Sequence, residues 1–169
     1  MERVGMRRIE VKNEVFYLNG QNIKFRGVNR HDTDPRVGSA VTLDMMERDL
    51  RLMKENNINA LRTSHYPNSP LMPRLCDKYG FYLIDEADVE THGVVFAGQE
   101  NRYESYHLLA RDPRFASIIL DRAQLLVQRD KNRPCVILWS MGNESGYGEN
   151  FEAALKWTKT FDPSRLTHY

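Results

Sequence analysis

Glu144 closes the stretch Val136-Ile137-Leu138-Trp139-Ser140-Met141-Gly142-Asn143-Glu144-Ser145-Gly146, an apolar run that stops at an amide and a carboxylate between glycines. A carboxylate that leaves an apolar wall for a pocket has its pKa raised by burial, which fits it to donate a proton near neutral pH. The same residue could equally be a cap or an ion-pair partner at a strand end. Glu90-Thr91-His92 sets a carboxylate and an imidazole on one side of an extended segment. With Glu144 they could ligate a divalent ion; otherwise the triplet is a solvated loop. His31, His65, Arg62 and Asn143 add polar groups that also have ordinary explanations. A histidine at a strand end is often structural, and Arg62 could simply pair with Asp85 or Glu86.

Positioning these groups requires regular elements, and the hydrophobic pattern supplies them. Residues Arg7 to Phe25 alternate and turn as a short β-meander, with Asn19-Gly20 marking a hairpin between Val15–Leu18 and Ile23–Phe25. A strand then runs into the polar end Asn29-Arg30-His31. Thr42 caps a helix whose buried face carries Leu43, Met46, Leu50 and Met53. The next strand runs from Asn59 to the polar end Ser64-His65, and Pro67 stops its pairing. Ser69-Pro70 opens a helix that turns Leu71, Leu75 and Tyr79 inward and closes at Gly80, with Pro73 predicting a late start.

Phe81–Ile84 reads as a third apolar strand that runs into Asp85-Glu86-Ala87-Asp88-Val89-Glu90. Val94 to Ala110 shows no period, holds Gly98, Asn101 and His107, and is expected to be a long surface loop. Asp112-Pro113 caps a long helix that buries Phe115, Ile118, Ile119, Leu126 and Val127. Val136–Ser140 is the fourth strand, Phe151, Ala154, Leu155 and Thr158 mark a last helix, and Leu166–Tyr169 reads as the start of a fifth strand.

Strict strand–helix alternation predicts an α/β fold with a parallel sheet. In every unit the ionisable residues follow the strand, at the edge where barrels and doubly wound sheets alike build their sites. Gly27 stands alone after the first strand of the alternation, with no glycine-rich phosphate loop, so a dinucleotide fold has little support and a partial (β/α)8 barrel is expected. Residues 1–26 are read as a β-meander leading into it, and 27–169 as its N-terminal half, about four β/α units, stopping at the fifth strand.

Bulk properties narrow the partners. The 169 residues hold 24 basic and 23 acidic side chains for a net charge of +1, without the basic footprint of a nucleic-acid binder. At 41% hydrophobic and 28% charged, the chain has ordinary globular composition and predicts neither disorder nor a membrane span. Cys76 and Cys135 lack metal-ligand spacing and are expected to be buried thiols. Met1 to Arg8 lack the apolar core of a secretory signal, which predicts a cytoplasmic location.

Four motifs together, Gly27-Val28-Asn29-Arg30-His31, Arg62-Thr63-Ser64-His65-Tyr66-Pro67-Asn68, Asp85-Glu86-Ala87-Asp88-Val89-Glu90-Thr91-His92-Gly93 and Trp139 to Gly146, closely resemble the catalytic TIM barrel of the large bacterial β-galactosidases of glycoside hydrolase family 2. The resemblance implies a retaining hydrolase of terminal β-galactosides such as lactose, with Glu144 as acid/base. It implies that Glu90, His92 and Glu144 hold magnesium or manganese, with no organic cofactor, and that His31, His65 and Asn143 contact the sugar, joined by Arg62. Ser145 after Glu144 and the Glu-Thr-His-Gly segment favour the galactosidase branch over the related β-glucuronidases. The family's nucleophile comes from a later strand, so the resemblance makes the chain a fragment. It is expected to be inactive alone, to be completed by the rest of the barrel and flanking domains, and to derive from a homo-oligomer. A metal-dependent hydrolase using His31, His65, Glu90, His92 and Glu144, and a non-catalytic complementing fragment, are the alternatives.

Overall fold

In the computed structural model, which describes residues 4–96 and 102–169, the strands form two sheets. The first is the antiparallel meander β1 (Ile9–Lys12), β2 (Val15–Leu18) and β3 (Gln21–Asn22). Its last strand lies earlier than the expected Ile23–Phe25. The ring of Phe25 instead packs edge-on against Phe16 at 4.8 Å and Tyr82 at 5.7 Å, which carries the chain across to the second sheet.

The second sheet has five strands: β4 (Gly27–Arg30), β5 (Ala60–Thr63), β6 (Tyr82–Glu86), β7 (Val136–Ser140) and β8 (Leu166–His168). They lie side by side in chain order and every neighbouring pair is parallel. A doubly wound sheet would reverse order at a switch point, whereas an unbroken sequential order is that of barrel staves. α1 (Leu43–Glu55) and α2 (Leu71–Tyr79) make the first two crossovers. After β6 come a 3-10 turn (His92–Phe96), then α3 (Arg102–Ser105), α4 (Leu108–Arg111) and α5 (Ala116–Asp130); α6 (Glu149–Phe161) connects β7 to β8.

Local chemistry explains most element ends. Thr42 accepts the Met45 N–H at the start of α1, with Asp44 in its first turn and Lys54 in its last, as the helix dipole favours. The helix buries Met46 and Leu50 but leaves Leu43 exposed at its rim. α2 starts at Leu71 rather than late, because Pro73 falls in the first turn, where a missing N–H costs no helical bond. Its inward residues are Met72, Leu75 and Cys76, and Leu71 faces out.

The segment Val94–Ala110 is not the single loop expected: among its described residues short helical turns satisfy the backbone locally, while Gly98 and Asn101 lie outside the described residues. Asp112 caps a 3-10 turn (Pro113–Phe115) from which α5 continues, and Ala123 takes the inward place expected of Ile118, which is half exposed. Leu61, Leu83, Val136, Trp139 and Met141 pack beneath Met72, Leu126 and Phe151 as one apolar core, and both cysteines are buried free thiols. Among the described residues no helix is long and apolar enough to cross a membrane.

Candidate active site

The carboxyl-terminal edge of the parallel sheet is organised around Glu86, the last residue of β6, which is completely buried. Its Oε2 accepts from Arg62 Nε and from Ser140 Oγ, both at 2.5 Å, and its Oε1 lies 2.7 Å from His65 Nδ1. Such a buried charge is tolerable only when paired and fully hydrogen-bonded. Arg62 therefore pairs with Glu86 and not with Asp85, whose side chain projects to the other face of the strand. Asp85 accepts from Thr63 Oγ1 at 3.2 Å, and burial, then the neighbouring Asp130, pushes its carboxyl well above the usual range. His31 follows β4 and stands edge-on to His65 with ring centroids 5.6 Å apart.

Beyond β7 the chain turns sharply. Gly142 has φ +149° and Glu144 φ +38°, and the Asn143 N–H donates to Val89 O at 2.9 Å, forming a bridge between Asn143 and Glu90. Ser145 locks the turn: its Oγ accepts the Thr91 N–H at 2.7 Å and donates to Asn143 O at 2.7 Å. The Asn143 side chain joins the two halves of the site. Its Oδ1 accepts from Arg62 at 2.8 Å, and its Nδ2 donates to Glu90 at 3.2 Å.

Glu90, His92 and Glu144 each bring a ligand atom within 4.8 Å of the others. His92 Nδ1 lies 2.9 Å from Glu144 Oε2 without the alignment of a hydrogen bond. Glu144 is 57% exposed, which corrects the expectation of a carboxylate buried in a pocket beyond the apolar wall. The left-handed turn after Gly142 lifts it off the wall and aims it at His92 instead of at the core.

A cleft of about 620 Å³ opens beside Glu144. Its walls include Tyr106, Tyr147, His168 and Tyr169, which sequence reasoning did not single out. The Tyr169 oxygen accepts the Ser145 N–H at 3.1 Å, and burial pushes its pKa up to about 12, so the phenol stays protonated. Tyr106 is brought down by close approach: a Cβ on Gly146 would meet the Tyr106 carbonyl at 2.2 Å, and Gly146 has φ +69°. Burial, then Glu144, raises the Tyr106 pKa. For Tyr169 the one available signal was its place at the end of a fifth strand; for Tyr106 no local pattern existed.

The family model described as "Glycosyl hydrolases family 2, TIM barrel domain" matches residues 9–169. The chain belongs to glycosyl hydrolase family 2. It is 48% identical, over its whole length, to a β-galactosidase of Actinobacillus pleuropneumoniae, of which it spans 19%. It is 49% identical over 98% of its length to a β-galactosidase of Kluyveromyces lactis, of which it spans 18%. A solved structure, a β-glucuronidase of Ruminococcus gnavus in complex with D-glucuronic acid, superposes with a TM-score of 0.82 at 26% identity, covering 98% of this chain and 27% of that one. The chain thus spans less than a fifth of the length of these curated relatives. As a family 2 barrel segment it gathers Arg62, His65 and Asn143 into one bonded network, brings His31 to its rim, and sets Glu90, His92 and Glu144 together beside it.

Proposed function

We propose that residues 27–169 are the acid/base-bearing part of a retaining β-galactosidase barrel acting on terminal β-galactosides such as lactose, with residues 1–26 leading into it. The observation that supports this most is the turn carrying Asn143 and Glu144 in contact with Glu90 and His92, in a chain 48% identical to a named β-galactosidase. Glu144 protonates the glycosidic oxygen as the bond breaks, then takes a proton from the water that releases the sugar. His31, His65, Arg62 and Asn143 hold the sugar hydroxyls. Retaining enzymes need a second carboxyl about 5–5.5 Å from the first, across the anomeric carbon. Glu90 is not that group: it shares the Glu144 cluster and is bonded to Asn143 on the same side. The nucleophile in this reading lies outside residues 1–169.

Two exposed carboxylates and a partly exposed imidazole suit magnesium or manganese. When bound, the ion supplies positive charge that offsets the paired carboxylates and steadies Glu144. Calorimetric titration with magnesium is expected to show weak, exchangeable binding that disappears in Glu90→Ala; equal binding by both chains would exclude these ligands.

Activity tests the reading directly. A chimaera in which residues 9–169 replace the matching stretch of the Actinobacillus pleuropneumoniae relative should hydrolyse a nitrophenyl β-galactoside, and prefer it to the β-glucuronide, while the 169-residue chain alone should not. The galactoside preference is expected because Arg62, which bonds Asn143, is already paired with Glu86. The metal cluster favours one competing reading, a metal-dependent hydrolase. That reading predicts hydrolysis abolished by a chelator and no trapped glycosyl–enzyme intermediate.

A further inference from the structure

The Glu86 carboxylate bonds Arg62, His65 and Ser140 at once, yet it is itself sealed from solvent. We propose that Glu86 is the positioning residue of the sugar site, fixing the tautomer of His65 directly and the amide orientation of Asn143 through Arg62. This rests on the galactosidase reading for its purpose, though not for its geometry.

The chain of constraint follows from donor and acceptor inventories. An ionised carboxylate only accepts hydrogen bonds, so the 2.7 Å contact requires His65 Nδ1 to carry a proton. In the neutral ring that leaves Nε2, on the side away from Glu86, as a bare acceptor. The Arg62 guanidinium only donates, and Glu86 Oε2 holds its Nε. Held there, its terminal nitrogen reaches Asn143 at 2.8 Å, where only the amide oxygen can receive it. The Asn143 NH2 group must therefore face Glu90, beside Glu144. One buried carboxylate thus leaves an acceptor at His65 for a sugar hydroxyl and turns the Asn143 NH2 group to Glu90, beside the acid/base residue. The bond from Ser140 ties Glu86 to the end of β7, two residues before Gly142, so the same carboxylate joins the hydroxyl-binding strand ends to the turn bearing Glu144.

Substituting glutamine makes the idea testable without relying on turnover. In Glu86→Gln the amide oxygen can still accept from Arg62, but the group turned toward His65 becomes an NH2 donor, so His65 must give up its Nδ1 proton and become the Nε2–H tautomer. Nitrogen NMR of the 15N-histidine-labelled 169-residue chain is expected to show His65 protonated at Nδ1 in the wild type and at Nε2 in Glu86→Gln, with Nδ1–H restored in Glu86→Asp. A carboxylate that merely neutralised Arg62 would leave the tautomer unchanged. A wild-type His65 in the Nε2–H form overturns the proposal, and that measurement needs no variant to fold. An unchanged tautomer in a folded Glu86→Gln overturns it equally. In the chimaera, Glu86→Gln should lower kcat/KM by about 10–100-fold, the range seen when an orienting partner is lost. That loss should be the same for galactosides with good and poor leaving groups. A chimaera without any galactosidase activity would end the functional reading and leave the tautomer result to judge Glu86 alone.

Discussion

Glu144→Gln in the chimaera is expected to lower kcat for a β-galactoside with a poor leaving group by about 10²–10⁴-fold, the usual contribution of a positioned acid. The substitution keeps the shape of the side chain and removes its charge and its ability to exchange a proton. The network of Arg62, His65 and Asn143 proposed to hold the sugar is bonded through Glu86 and not through Glu144, so KM should change far less than kcat. The defect should shrink as the aglycone becomes acidic enough to leave unprotonated, since the missing proton then no longer limits bond cleavage. A loss of equal size across the whole leaving-group series would mean that Glu144 acts through binding or structure. Glu144 also brings a ligand atom to the cluster with Glu90 and His92, so magnesium affinity should fall in the same variant. Restoring kcat with excess magnesium would assign the defect to the metal and not to the proton.

Gly142→Ala is expected to cost both stability and the site. A Cβ there would lie 2.6 Å from the Val89 carbonyl oxygen and 3.0 Å from Val89 Cβ, with φ at +149°. That carbonyl is the group that accepts the Asn143 N–H and holds the turn against Glu90. Relief of the clash must therefore move the acceptor or the turn, and either separates Glu144 from Glu90 and His92. Backbone strain of about 1–3 kcal/mol adds to overpacking of about 1–3 kcal/mol. At roughly 2–4 °C per kcal/mol for a chain of this size, thermal unfolding should shift down visibly. Magnesium affinity should fall by at least about tenfold, since the ligating set is dispersed. Gly93→Ala, with open space around the new Cβ and an ordinary φ, is the matched control and should stay within about 0.5 kcal/mol of the parent. An unfolding midpoint and metal affinity for Gly142→Ala equal to those of Gly93→Ala would show that the turn does not set the site.

The sequence by itself determined the order of the elements and the edge on which chemistry gathers, because those are local properties. Period-2 and period-3.6 patterns report one element at a time, and the expected strands run into their polar ends at Asn29, Ser64, Asp85 and Ser140, within one residue of the observed last residues Arg30, Thr63, Glu86 and Ser140. The family motifs likewise singled out Glu90, His92 and Glu144, which the structure brings together.

The partners were decided only by tertiary structure. Both faces of β6 are covered, so its apolar pattern could not say whether Asp85 or Glu86 faces Arg62. The pairing of β5 with β6 settles that, for Arg62 lies opposite Ile84 and Glu86, two residues on, shares that face; between β6 and β7 the register slips between Leu83 and Ile84, which sets Glu86 opposite Ser140 and lets their side chains bond. A slip of this kind depends on packing between strands far apart in the chain and leaves no mark on either strand's own sequence. The exposure of Glu144 had the same origin. A carboxylate after an apolar run reads as buried, but the conformation of Gly142 and Glu144 and the contact with Val89 turn it toward His92. Tyr106 reaches the site because its carbonyl rests against Gly146, a contact across forty residues that no periodicity encodes.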